Sequence, residues 1–305
     1  MRLFNLLAFS VFFIFAAHCF VACDSFERDI NIELPTVERQ LIVECYLRPN
    51  EPLRLLLTET KGYFDPLDEC IFVRGALVVI EHAGQRDTLT EAPFFGECSL
   101  ANPNFIPFFD DSRTRFYNYG SASICLLDYS QPFTLTVIDS AGGRSVMATT
   151  KMLPVVPITG FTYTWNTDTT KAYAFIRAQD DGSTADFYRV QLHKRRLYRP
   201  DSATAGAFNI AKNPEFDVRI DDASFFNGQD IAFGTGFDYE ENDTLIATIY
   251  HIESAYYTYL DNISSSENAN GNPFAQPPTI RSNIQGGLGI FTFLSFDRDT
   301  IRVSR

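Results

Sequence analysis

Apolar residues recur at alternate positions in short segments of the chain, and turn-forming residues separate these segments. In segment 41–47, for example, Leu41, Val43, Cys45 and Leu47 fall on one face of an extended chain. A period of two is typical of a strand that buries one face and leaves the other in contact with water. The pattern therefore predicts strands along most of the chain.

Several of these segments form predicted hairpins. Segments 76–81 and 87–90 flank a turn at 82–85, and segments 133–139 and 144–150 flank the turn sequence Ser-Ala-Gly-Gly. Strands at such short intervals, with little helical periodicity, indicate an all-β protein. We expect it to begin with an immunoglobulin-like β-sandwich.

The linker at 153–158 divides the predicted fold. Its two prolines, Pro154 and Pro157, favour extended structure and are incompatible with a central strand. We therefore predict a boundary here, between a β-sandwich domain at 39–153 and a second, larger, mainly-β domain at 154–305.

One short helix is predicted near the C-terminus, at 254–263. Tyr256, Leu260 and Ile263 follow the i, i+4, i+7 spacing of a single helix face, and Ser254 is a suitable N-cap.

The N-terminus has the organisation of an export signal. Arg2 precedes an apolar run at 6–17 that is too short to span a membrane, and the pair Ala-Cys follows at 22–23. We interpret 1–22 as a lipoprotein signal peptide and Cys23 as the residue that is acylated, for example with palmitate. Residues 23–38 then form an acidic tether.

Composition and charge narrow the choice of partners. The chain has 305 residues, of which 45% are hydrophobic, as expected of a globular protein, and its net charge is −13. An acidic protein is disfavoured as a partner of nucleic acid. We expect it to contact a membrane through its lipid anchor.

The cysteines of the mature chain suggest one disulfide. Cys45, Cys70, Cys98 and Cys125 remain after the export segment, and an even number in an exported protein favours pairing. Cys98 and Cys125 bracket a long insertion and are the favoured pair. Cys45 is equally compatible with a buried free thiol.

No catalytic or cofactor motif is present in the sequence. His82, His193 and His251 lack the spacing of a zinc site, and neither a nucleophile elbow nor a phosphate-binding loop occurs. The sequence therefore predicts no catalytic residue, no metal, no cofactor and no enzymatic activity, although two distant carboxylates could still form a glycosidase site.

A predicted loop at 102–119 is dense in aromatic residues. Large apolar groups are unusual in loops, and where they are exposed they mark contact surfaces. We interpret the loop as a binding surface; the alternative is a loop that buries its own aromatic rings. Its candidate residues are Phe105, Phe108, Phe109, Phe116, Tyr117 and Tyr119.

Several motifs together resemble one family of Bacteroidota lipoproteins, called domain of unknown function 4249. They are INIELP at 30–35, LIVECYL at 41–47, GYFD at 62–65, YYTYLDN at 256–262 and SNIQGGLGIF at 282–291. The resemblance implies an accessory lipoprotein of a TonB-dependent outer-membrane transporter. The acidic tether likewise resembles the surface-export signals of such lipoproteins.

A second resemblance concerns modification. Asp followed by Ser or Thr and then a small or aliphatic residue resembles the O-glycosylation acceptor of Bacteroidota exported proteins. Turns that lead into strands favour the same triplet, which is the alternative explanation. The candidate hydroxyl residues are Thr88, Ser140, Thr169, Ser202, Thr244 and Thr300.

The resulting functional hypothesis is a non-catalytic binding module, lipid-anchored to the outer membrane on its periplasmic or outer face. It would assist a TonB-dependent transporter in nutrient uptake. The alternatives are a surface hydrolase acting on glycan or peptide, and a structural or adhesive surface protein.

Lipidation at Cys23 gives a direct test. We expect Cys23→Ala to abolish incorporation of an alkyne-labelled fatty acid and to move the protein out of the membrane fraction, because acyl chains supply the membrane affinity. Cys19→Ala is the matched control, since bulky His18 precedes Cys19. Label retained by Cys23→Ala would contradict the assignment.

Overall fold

A computed structural model describes residues 38–62, 71–91, 117–125, 127–196, 209–210, 214–221, 228–269 and 279–305. Contacts divide the chain into two compact units, 1–38 and 39–305. The predicted signal peptide, Cys23 and almost all of the acidic tether lie outside the described residues.

The described part contains sixteen strands and one helix. The first eight strands are β1 (Leu41–Leu47), β2 (Pro52–Glu59), β3 (Leu77–His82), β4 (Gln85–Glu91), β5 (Tyr119–Ile124), β6 (Phe133–Asp139), β7 (Arg144–Thr150) and β8 (Ile158–Trp165). The next six are β9 (Ala172–Gln179), β10 (Phe187–Arg196), β11 (Asn209–Ile210), β12 (Phe216–Asp221), β13 (Asp230–Gly234) and β14 (Thr244–Ile252). Helix α1 (Ser254–Ala269) follows, and then β15 (Leu288–Phe293) and β16 (Ser295–Arg302).

The first sheet has eight strands in the order β15-β1-β2-β5-β4-β3-β6-β7. Its two end strands come close together: a backbone bridge joins Met147 of β7 to Gln285, just before β15, and the Phe293 amide donates to the Thr150 hydroxyl. Alternate residues of β1 and β6 point into one core, as their period of two predicts. All eight strands of the sheet contribute buried side chains to this core.

Two further sheets share a second core. One has five strands, with β11-β10-β14-β16 as its path and β12 also paired to β10; the other is β13-β9-β8. Tyr188 and Val190 of β10 and Ala174 and Ile176 of β9 are fully buried in this core.

Helix α1 packs on a third apolar cluster. Tyr256, Tyr259 and Leu260 are buried there with Tyr250 of β14 and Ile290 of β15. The helix begins at Ser254, as predicted, and continues past Ile263 to Ala269. The described helix is too short and too polar to cross a membrane.

The all-β class and the single helix near the C-terminus are confirmed. The predicted boundary falls between β7 and β8, where the chain leaves the first sheet. Strand β15 comes from the second segment in sequence, but it lies beside β1 in the first sheet. The division into domains at 39–153 and 154–305 stays a prediction.

Strand β15 joins β1 in parallel, with Gly289 opposite Val43. Gly289 has φ +108°, and a Cβ there would lie 1.9 Å from the Val43 carbonyl oxygen. Only glycine allows this approach of the two backbones. Gly289 of the GGLG sequence is thus required by the pairing that adds β15 to the sheet.

We expect Gly289→Ala to lower the free energy of unfolding by on the order of 3 kcal/mol, through backbone strain and overpacking combined. Urea denaturation of the mature chain measures this. Gly84→Ala is the matched control, because Gly84 has φ +78° with no atom near its Cβ position. It should cost only about 1–2 kcal/mol. Equal losses for the two variants would disprove a special constraint at Gly289.

Candidate functional site

A cavity of about 660 Å³ lies beside the segment in which the chain leaves the first sheet and enters the other two sheets. One wall is the linker between β7 and β8, residues 151–157. The turn between β9 and β10 forms the second wall, and residues 251–254, at the junction of β14 and α1, form the third. We call this space the junction cavity.

The linker is fixed at both ends by its own side chains. Met152 is 3% exposed and belongs to the first core, whereas Val156 is 9% exposed and belongs to the second. Pro154 and Pro157 fix the backbone dihedral φ at their positions. The linker is therefore an extended and preorganised wall of the junction cavity.

His251, the penultimate residue of β14, fixes the middle of the linker. Its Nδ1 lies 2.7 Å from the Pro154 carbonyl oxygen and its Nε2 lies 3.1 Å from Asp186 Oδ1. Since a carbonyl oxygen only accepts, Nδ1 carries the hydrogen of that contact. Both ring nitrogens are thus engaged within the protein, and His251 is buried.

The hydrogen-bond network continues from Asp186 into the turn between β9 and β10. The Thr184 hydroxyl donates to Asp186 Oδ2 at 2.6 Å, and the Tyr188 hydroxyl donates to Asp180 Oδ1. Asp180 Oδ2 accepts from the Gly228 amide at 2.6 Å. Buried polar groups are costly unless they are paired, and these carboxylates are paired on both oxygens.

Glu253 is a half-buried acidic group of the cavity lining whose pKa is shifted from its ordinary value. Burial raises the pKa of its carboxyl, against the opposing effect of hydrogen bonds from the Thr150 hydroxyl and the Lys151 backbone. Thr150 ends β7, so this contact joins the first sheet to the residue before α1. The Glu253 carbonyl oxygen also accepts from the amides of Tyr256 and Tyr257 in the first turn of α1.

The cavity lining combines apolar and polar groups. Val155, Phe187 and Ile252 supply apolar surface, while Lys151 and Asp181 are exposed. The volume is within the range of about 300–1,000 Å³ that is typical of small-ligand sites. Within the described ranges, no group of three or more His, Cys, Asp or Glu side chains could hold a metal ion.

Comparison with known families decides the family of the chain. The sequence model described as "Domain of unknown function (DUF4249)" matches residues 27–300. The chain belongs to the DUF4249 family. No curated protein matches it.

One DUF4249 motif lies at the β1–β15 pairing, and another lies in helix α1, next to the cavity. Segment 282–291 supplies the end of the first sheet with Gly289, and segment 256–262 forms the buried part of α1, directly after Glu253. Neither motif contributes a side chain to the cavity lining.

The predicted aromatic binding loop is described only at its end. Phe105, Phe108, Phe109 and Phe116 lie outside the described residues. Tyr119 is the first residue of β5 and is 1% exposed; its hydroxyl donates to the Val73 carbonyl and accepts from the Ala76 amide. The Tyr117 ring lies under the Arg54 guanidinium, at 4.9 Å. Tyr119 is thus a core residue.

Cys45 and Cys125 are free, buried thiols. Burial raises the pKa of Cys125 to about 12 and raises that of Cys45 as well, so a free thiol at either position is protonated at neutral pH. Cys98 lies outside the described residues, and its pairing with Cys125 stays a prediction.

The predicted O-glycosylation residues are mostly accessible. Thr88, Ser140, Thr169 and Thr300 are exposed, Thr244 is half-buried, and Ser202 lies outside the described residues. Accessibility is compatible with modification, which stays a prediction.

The sequence pattern does not predict the junction cavity. The residues that line it come from three segments that are distant in sequence. Only the linker was noted as a special segment in the sequence, because of its two prolines.

The half-buried Glu253 carboxyl has a raised pKa, and it therefore makes the stability of the protein depend on pH. The stability associated with the Glu253 proton is present below the unfolded-state pKa of about 4.3 and is lost as the pH rises through the folded-state value. Each unit of difference between the folded-state and unfolded-state pKa values corresponds to about 1.4 kcal/mol in the free energy of unfolding. We expect Glu253→Gln to remove this loss, so that the variant gains thermal stability relative to the wild type as the pH rises from 4 to 8.

Melting temperatures of both proteins across this pH range measure the effect. Glu81→Gln is the control, because the Glu81 side chain is 53% exposed. Parallel curves for wild type and Glu253→Gln would contradict the burial argument.

Proposed function

We propose that this DUF4249 protein is a lipid-anchored, non-catalytic binding module of the outer membrane that assists a TonB-dependent transporter. The observation that carries the proposal is the junction cavity. It has the size of a ligand site, its walls are fixed by packing, and its buried acid–base groups are already paired inside the protein.

The fixed walls favour binding. A site that is formed before the ligand arrives avoids the entropic cost of ordering its side chains and loops. Met152 and Val156 hold the linker in two different cores, and His251 holds the Pro154 carbonyl between them. The cavity is therefore suited to retain a ligand in one position.

The arrangement of hydrogen bonds argues against catalysis by His251. A general base needs a free nitrogen within reach of the substrate proton. Both ring nitrogens of His251 face acceptors of the protein, and Asp186 is shared between His251 and Thr184. These groups act as supports of the cavity wall.

The N-terminal sequence supports the proposed anchor, and the family supports the proposed partner. The signal-like segment that ends at Cys23 supports attachment to a membrane, and the family resemblance supports the transporter as partner. The negative net charge of −13 is compatible with partners that are not nucleic acids.

A hydrolase is the second candidate, and one observation favours it. Glu253 has a raised carboxyl pKa and shares the cavity with Asp181, whose pKa is lowered by hydrogen bonds from Ser183. Two carboxyls with pKa values shifted in opposite directions are the usual pair of an acid–base mechanism.

A pull-down from detergent-solubilised outer membranes tests the proposal. We expect the tagged, lipidated protein to recover a TonB-dependent transporter in about stoichiometric amount, identified by mass spectrometry. An unrelated lipoprotein with the same tag is the control, and it should recover no transporter. Recovery of the protein alone from the membrane fraction would contradict the accessory role and leave the hydrolase as the candidate to be screened.

A further inference from the structure

Several backbone hydrogen-bonding groups of the linker have no partner among the residues that the structure describes. Leu153, Val155 and Val156 make no backbone hydrogen bond within the described part of the chain, and Pro154 accepts only the bond from His251. The cavity runs along these residues. Unpaired amides and carbonyls on an extended segment are sites for pairing with a second extended chain.

The unpaired groups belong to a rigid segment. The prolines restrict its dihedrals, and the anchors Met152 and Val156 and the contact with His251 hold its ends and its middle. A flexible loop would lose conformational entropy on pairing, whereas this linker has already lost it during folding. The linker is therefore an edge prepared for pairing.

The rest of the cavity lining provides side chains that an extended peptide could contact. Val155 is 37% exposed, and Phe187 is half-buried on the lining. Alternate side chains of a paired strand point to the same face, so one of them would meet this apolar surface. Lys151 and Asp181 supply charges of both signs on the same lining.

We propose that the junction cavity binds an extended peptide segment, which pairs through its backbone with linker residues 153–156 and places an apolar side chain against Val155 and Phe187. The ligand class is a peptide because the unused groups are main-chain donors and acceptors on an extended segment. This inference deepens the proposed function by naming a ligand class for the same cavity.

Two substitutions at Val155 distinguish the contribution of its backbone amide to peptide binding from that of its side chain. Val155→Pro removes the amide hydrogen while retaining an extended backbone, whereas Val155→Ala keeps the amide and removes most of the side chain. The probe is a phage-displayed library of random heptapeptides, selected on the immobilised mature protein, from which enriched peptides are synthesised. Unchanged melting temperatures establish that both variants are folded.

We expect heptapeptides to be enriched on the wild type, and Val155→Pro to weaken their binding by about tenfold or more, as loss of a buried hydrogen bond implies. Val155→Ala should weaken it less. Methylation of alternate backbone nitrogens of the peptide should abolish binding in one of the two possible registers and leave it intact in the other. This register dependence distinguishes strand pairing from contact with side chains alone.

Three results would overturn the inference: no enrichment above that on Val155→Pro, equal binding of both methylated registers, or binding of oligosaccharides on a glycan array with no peptide binding. The test is independent of the transporter pull-down. Peptide binding without transporter recovery would refute the accessory role alone, and transporter recovery without peptide binding would refute the ligand class alone.

Discussion

The close approach of β15 to β1 is the constraint on which most of the structure depends. It occurs at Gly289, opposite Val43, where the backbones come too near for any side chain. The pairing brings β15 beside β7 and so brings the ends of the eight-stranded sheet together. It also fixes Ile290, which packs beneath α1. One hydrogen-bonded register thus sets the first sheet and the base on which the helix lies.

The second constraint is the manner in which the chain passes between sheets. Residues 151–157 make this crossing without secondary structure, and they are held by side-chain burial and by the bond from His251 to the Pro154 carbonyl. Thr150 and Glu253 add a contact between the end of β7 and the start of α1. The cavity lies beside this crossing, and the linker forms one of its walls.

Local patterns in the sequence predicted the elements well, and they predicted their partners less well. Alternation placed β1 and the hairpin β6–β7, and the spacing of Tyr256 and Leu260 placed α1, because these signals reside within one segment. The pairing of β15 with β1 joins segments from opposite ends of the chain, and periodicity contains no information on such partners. The cavity was missed for the same reason, since Asp186, His251 and Pro154 meet only in the folded chain.

The parallel pair β1–β15 has a consequence for synthesis. Strand β1 is among the first elements of the described chain to be made and β15 is the last but one, so the edge of β1 stays open until residues 288–293 have been made. Contacts between such distant segments slow folding, because a long loop must close before they form. A chain truncated before residue 288 has no strand to cover that edge, and it offers other nascent chains a template for aggregation.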